Sequence, residues 1–123
     1  MTTSEQTNER RHFSRIQFNS RVKIHGAAGI WSCNLIDISL KGVLVERPLN
    51  MAVANGDCFN LELPLDSSDV TIRMEIKAAH VNADRIGLIC EHIDLDSIVH
   101  LKRLMELNLG DAELVHRELS ALG

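Results

Sequence analysis

The stretch VTIRMEIKAA, residues 70–79, alternates without a break. Val70, Ile72, Met74, Ile76 and Ala78 fall on one side of an extended chain, and Thr71, Arg73, Glu75 and Lys77 on the other. Side chains of a strand point to opposite faces in turn, so this period of two predicts a strand with one buried and one wet face. The same signal recurs on both sides of it. Downstream, NADR (82–85) makes a turn into IGLICEH (86–92), a further strand. Upstream, Phe59, Leu61 and Leu63 alternate with Asn60, Glu62 and Pro64, after the turn signal Asn55-Gly56. GVLVE (42–46) is a short apolar strand stopped by Pro48, and IWSCNLIDI (30–38) is rich in strand formers. The first strand is expected from Arg21, where Val22 and Ile24 alternate with Arg21, Lys23 and His25 before the turn GAAG (26–29). Six short strands with tight links predict an antiparallel barrel or sandwich.

The tail changes period. Asp94 or Asp96 can cap a helix carrying Ile98, Leu101, Leu104, Met105 and Leu109, with Gly110 as its stop. Asp111 can start a second short helix through Leu114, Val115, Leu119 and Leu122, whose apolar face must cover one end of the barrel or a partner.

The chain has 123 residues, 45% apolar and 24% charged, which fits one soluble domain with a single core. No apolar run approaches the roughly 20 residues that span a bilayer, so no membrane insertion is expected. MTTSEQTNER (1–10) lacks the basic-then-apolar pattern of a signal peptide, and a cytoplasmic location is expected. Cys33, Cys58 and Cys90 are odd in number and widely spaced, against a disulfide framework. Cys90 and His92 share a strand face, but nothing supplies a second ligand pair, so no metal or other cofactor is expected. No nucleophile elbow or comparable motif supports a nucleophilic Ser–His–Asp or Cys–His pair.

Charge is uneven. Residues 10–23 hold Arg10, Arg11, Arg15, Arg21 and Lys23 and no acid, a local +5 in a chain of net charge -4, so the remainder carries -9. A protein that binds polymeric nucleic acid would show a broader basic face, and one that stacks several bases would show more than Phe13, Phe18, Trp31 and Phe59. The partner is small and anionic, or the segment is a solvated arm.

Two motifs bear on that choice. RHFSR (11–15), preceded by Arg10, places guanidinium groups that can bond phosphate oxygens and the O6/N7 edge of guanine. DISLKG (37–42) reads as a tight turn between the second and third strands, in which Asp37 and Ser39 accept backbone N–H groups. Gly42 there permits positive φ or a close approach, and a carboxylate at 37 could instead accept from N1–H and the amine of guanine.

Together, RxxxR before the first strand and DxSxxG after the second resemble the PilZ domain family of cyclic di-GMP receptors, over roughly residues 9–109. No motif position departs from the pattern. The resemblance implies a six-stranded antiparallel β-barrel with one or two C-terminal helices and a flexible N-terminal arm. Residues 1–9 are then a disordered tail and 10–123 one domain, divided into an arm (10–20), a barrel (21–93) and helices (94–123). It implies that Arg11 and Arg15 grip guanine and phosphate, while Asp37, Ser39 and Gly42 line the other side of a guanine. Arg10 could reach a further base or phosphate. The expected ligand is cyclic di-GMP, one molecule or a stacked pair, and the expected role is a non-catalytic receptor that relays the signal to a protein partner. The competing expectation is an interaction module of the same fold that binds no nucleotide. His80, by parity, goes with the apolar set Ile76 and Ala78 as a rim or core histidine; only a bulge would turn its ring outward to stack on a base.

Overall fold

Alternating side chains fill a barrel from all six strands. The computed structural model describes residues 13–65 and 69–122. Its strands are β1 (Ile16–Gly26), β2 (Gly29–Ser39), β3 (Gly42–Glu46), β4 (Cys58–Pro64), β5 (Thr71–Val81) and β6 (Arg85–Ile93), followed by helices α1 (Leu95–Leu109) and α2 (Ala112–Leu122). The strands pair antiparallel in the closed order β1-β2-β3-β6-β5-β4. Closure is made by a short β1–β4 ladder, Lys23 to Glu62, Ile24 to Leu61 and His25 to Asn60. A barrel leaves no exposed sheet edge, which an open six-stranded sheet would have to protect.

The period-two stretch behaves as its pattern demands. Ile72, Met74, Ile76 and Ala78 of β5 point into the core with Ile24, Leu61, Val43 and Ile86, while Arg73 and Glu75 face water. Each fully buried aliphatic side chain contributes about 1.5–3 kcal/mol relative to exposure.

The helices are set by their caps. Asp94 accepts the Ser97 N–H at 3.0 Å, and the Ser97 hydroxyl and amide hold its carboxyl below the usual carboxylate range. The Ser97 hydroxyl also accepts the Arg73 N–H at 2.9 Å, tying the start of α1 to β5. Gly110 ends α1 in the left-handed conformation at φ 69°. Leu101 and Met105 of α1 and Val115 of α2 are fully buried.

Two boundaries differ from expectation. β1 begins at Ile16 rather than Arg21, so residues 16–20 belong to the barrel and not to an arm. Ile16 pairs with Ile38 and Gln17 with Asp37, and a bulge follows before Ser20. Outward Gln17, Asn19 and Arg21 are polar and Phe18 is only half-buried, which hid the strand in the sequence. The second is smaller: β2 runs to Ser39, one residue past the expected Ile38, so the tight turn in DISLKG is the two residues Leu40 and Lys41 before Gly42 opens β3. The expected tail, residues 1–9, lies outside the described residues.

Gly42 is the tightest point of the barrel. A Cβ there would lie 2.1 Å from the Leu88 carbonyl oxygen of β6, a backbone atom that cannot swing aside. Gly42→Ala therefore forces β3 and β6 apart. It should cost about 3 kcal/mol and lower the melting temperature by roughly 10 °C; a thermal scan within about 2 °C of wild type would show that the two strands separate freely.

Candidate ligand platform and arm

The hairpin β2–β3 presents its motif unequally. The Ser39 side chain is fully buried; its hydroxyl accepts the Lys41 N–H at 3.1 Å and donates to the Gly42 carbonyl at 3.4 Å. Gly42 is buried against β6. Neither offers a side chain to the surface: they form the turn, and the turn aims Asp37. Asp37 faces outward, opposite Gln17 on β1 and Leu44 on β3.

Arg15 meets it there. Its Nε donates to Asp37 Oδ1 at 3.0 Å, with the arginine side chain 48% exposed and the carboxylate 19%. The two motifs, 22 residues apart in sequence, thus touch on the barrel surface. Arg10 and Arg11 lie outside the described residues.

The residues just before Arg15 are held as well. The Ser14 N–H donates to Glu118 Oε1 and Oε2 at 3.1 and 3.0 Å, and its hydroxyl donates to Oε2 at 2.6 Å. Glu118 belongs to α2 and is 5% exposed. Phe13 is half-buried in a recess of about 320 Å³ lined by Leu114, Arg117, Glu118 and Ala121, with the Lys41 ammonium 5.2 Å from its ring centroid. Residues 13, 14 and 15 therefore rest on the hairpin turn, on α2 and on β2.

Glu118 was not anticipated from sequence. Its signal was available: an acid in helical step with Leu114, Val115 and Leu122 on the apolar face of α2 has to find a donor when that face is covered.

His80 does not keep the parity expected of it. The register runs Ala78 to Leu88 and then His80 to Gly87, so Ala79 is an extra residue and the bulge turns His80 outward and exposed.

Among the described residues no cluster of three His, Cys, Asp or Glu side chains could hold a metal ion. Burial pushes the Cys33 thiol up to about 11 and raises that of Cys90, so neither is an activated nucleophile. No helix among the described residues is long and apolar enough to cross a membrane.

This architecture, a closed six-stranded barrel followed by two helices, is that of PilZ domain structures. The PilZ domain of CeSA from a cellulose-synthesizing bacterium superposes with a TM-score of 0.60 at 17% identity, over 79% of this chain and 96% of that one. The PilZ domain of YcgR from Escherichia coli, determined with c-di-GMP, matches with a TM-score of 0.69 at 14% identity, over 84% and 94%. PlzA from Borreliella burgdorferi, in complex with c-di-GMP, matches with a TM-score of 0.53 at 15% identity; 80% of this chain is covered, and the chain spans 42% of that protein. The PilZ domain family model itself matches residues 9–107. The chain belongs to the PilZ domain family.

The clamp on Ser14 has a measurable signature. Glu118→Ala removes three hydrogen bonds and should destabilise the protein by about 2 kcal/mol, with amide exchange at Ser14 and Arg15 rising at least about tenfold. Unchanged exchange at these two amides would mean that α2 does not hold the arm.

Proposed function

We propose that the protein is a cytoplasmic receptor for cyclic di-GMP, in which the arm carrying Arg10, Arg11 and Arg15 closes over a ligand resting on the β2–β3 hairpin. The observation that carries this reading is the Arg15–Asp37 contact, which joins a guanidinium and a carboxylate on one open surface. Cyclic di-GMP is a dianion with two guanines. Arginine can meet its phosphates and Hoogsteen edges, and Asp37 can accept from N1–H and the exocyclic amine. Family membership and two matched structures determined with c-di-GMP, the YcgR PilZ domain and PlzA, support the same ligand.

The energetics favour an exchange of partners. A surface ion pair such as Arg15–Asp37 is worth about 0–1 kcal/mol. A hydrogen bond between a guanidinium and a phosphate contributes ~1.5–3 kcal/mol. Arg15 can thus leave or share Asp37 at small cost when a phosphate arrives. Ordering of further arm residues costs about 1–2 kcal/mol each, which several such bonds offset. Ser39 and Gly42 act in this reading by shaping the hairpin that aims Asp37, not as side chains against the base.

The relay we infer runs through Ser14. Because this residue sits between Arg11 and Arg15 and is bonded to Glu118, an arm that closes on ligand pulls on α2. A protein partner that reads the position of α2 would then sense the nucleotide, and no catalysis is required.

Calorimetric titration with cyclic di-GMP tests the receptor role: micromolar protein should give saturable heat, and its absence would leave an interaction module that binds no nucleotide. Arg11→Ala and Arg15→Ala should each weaken binding by about 10- to 150-fold. The melting temperature of the free Arg15→Ala protein should stay within about 3 °C of wild type, because only an exposed pair is lost.

A further inference from the structure

Phe13 falls between Arg11 and Arg15 of the arm, and Lys41 falls between Ser39 and Gly42 of the hairpin. Neither is a motif position, yet the two side chains meet. The Lys41 ammonium lies 5.2 Å from the Phe13 ring centroid. A cation within roughly 6 Å of an aromatic centroid is attracted by the negative face of the ring. A second tie between arm and hairpin therefore stands beside the Arg15–Asp37 contact.

Lys41 is fixed before its side chain begins. Its N–H donates to Ser39 Oγ at 3.1 Å, and its carbonyl accepts the Cys90 N–H at 2.7 Å. The residue is exposed, and among the described residues its ammonium makes no ion pair. No carboxylate draws the charge away from the ring. Phe13 is held from another side as well. It is half-buried, and it shares the recess of about 320 Å³ with Leu114 and Ala121 of α2. The next residue, Ser14, is bonded to Glu118 through both its amide and its hydroxyl.

A residue that the ligand must order on binding weakens that binding by about five- to thirtyfold. A residue already held in the free protein carries no such penalty. We propose that Phe13 and Lys41 are a positioning pair that presets the arm for cyclic di-GMP. The ammonium keeps the ring seated, and the seated ring fixes the backbone two residues from Arg11 and two from Arg15. Neither side chain touches the nucleotide in this arrangement. The inference rests on the receptor reading above and concerns how the arm is held, not which groups grip the ligand.

An ammonium beside the platform also attracts a dianion by charge alone, and a cycle of substitutions separates the two roles. Cyclic di-GMP is titrated by calorimetry into wild type, Lys41→Gln, Lys41→Arg, Phe13→Leu, Phe13→Ala and the double variant Phe13→Leu/Lys41→Gln. Each free protein is also melted. Lys41→Gln and Phe13→Leu, which lose the cation and the ring face, should each weaken binding by about two- to fivefold. The double variant should bind within twofold of either single one, and Lys41→Arg should bind like wild type. Phe13→Ala, which also empties the seat on α2, should weaken binding by about five- to thirtyfold. The Lys41 variants should melt within about 2 °C of wild type, because the side chain is exposed.

Phe13→Ala or Lys41→Gln binding as tightly as wild type would overturn the pair while leaving the receptor standing. So would a double variant weakened by the product of the single effects, which would mean that Lys41 acts on the ligand by its charge. Wild-type protein that gives no heat would overturn the receptor reading, and this one with it.

Discussion

The approach of β3 to β6 at Gly42 governs the rest of the candidate ligand surface. Because the Leu88 carbonyl occupies the space where a Cβ would stand, the β2–β3 hairpin lies flat against β6, and the Cys90 N–H donates to the Lys41 carbonyl at 2.7 Å. That seats the two-residue turn. The turn then consumes the Ser39 hydroxyl, directs the Lys41 side chain to Phe13, and leaves Asp37 as the one acidic group of the motif that faces out. A small change in strand spacing here would move Asp37 relative to every other group on the platform.

Much of this architecture was legible because strand periodicity is a local property. The alternation survives over residues 72–78 as the inward set of β5, and the caps Asp94 and Gly110 stand where the helical pattern starts and stops. What could not be read locally was any effect of an extra residue. The bulge at Ala79 reversed the facing of His80, and it depends on pairing with a distant strand. The start of β1 was hidden differently, by polar outward residues beside a half-buried Phe18. The platform was half legible. Arg15 and Asp37 do come together, yet Ser39 and Gly42 turn out to be internal to the hairpin, and Glu118, 104 residues from Ser14, became visible only once α2 was folded over the arm.

The junction of arm and barrel combines restraints of unequal strength. Ser14 on Glu118 is part-buried, charge-assisted and doubly bonded through the amide, whereas Arg15 on Asp37 is exposed and single. Water competes for the second pair and scarcely for the first. The Ser14 contact with α2 is therefore firmer than the side-chain contact that Arg15 makes beside the start of β1.

In the proposed receptor, the Arg15–Asp37 pair would also bias which anion is favoured. An anion that offers charge alone must compete with a carboxylate already in place, and it strands Asp37 without its partner when it wins. A molecule that brings both an anion and a pair of adjacent N–H donors satisfies the arginine and the aspartate in the same event. Free phosphate, polyphosphates and the backbones of nucleic acids fall in the first class; a guanine nucleotide falls in the second. The preference is modest, because an exposed pair worth about 0–1 kcal/mol separates the two classes by about fivefold at most.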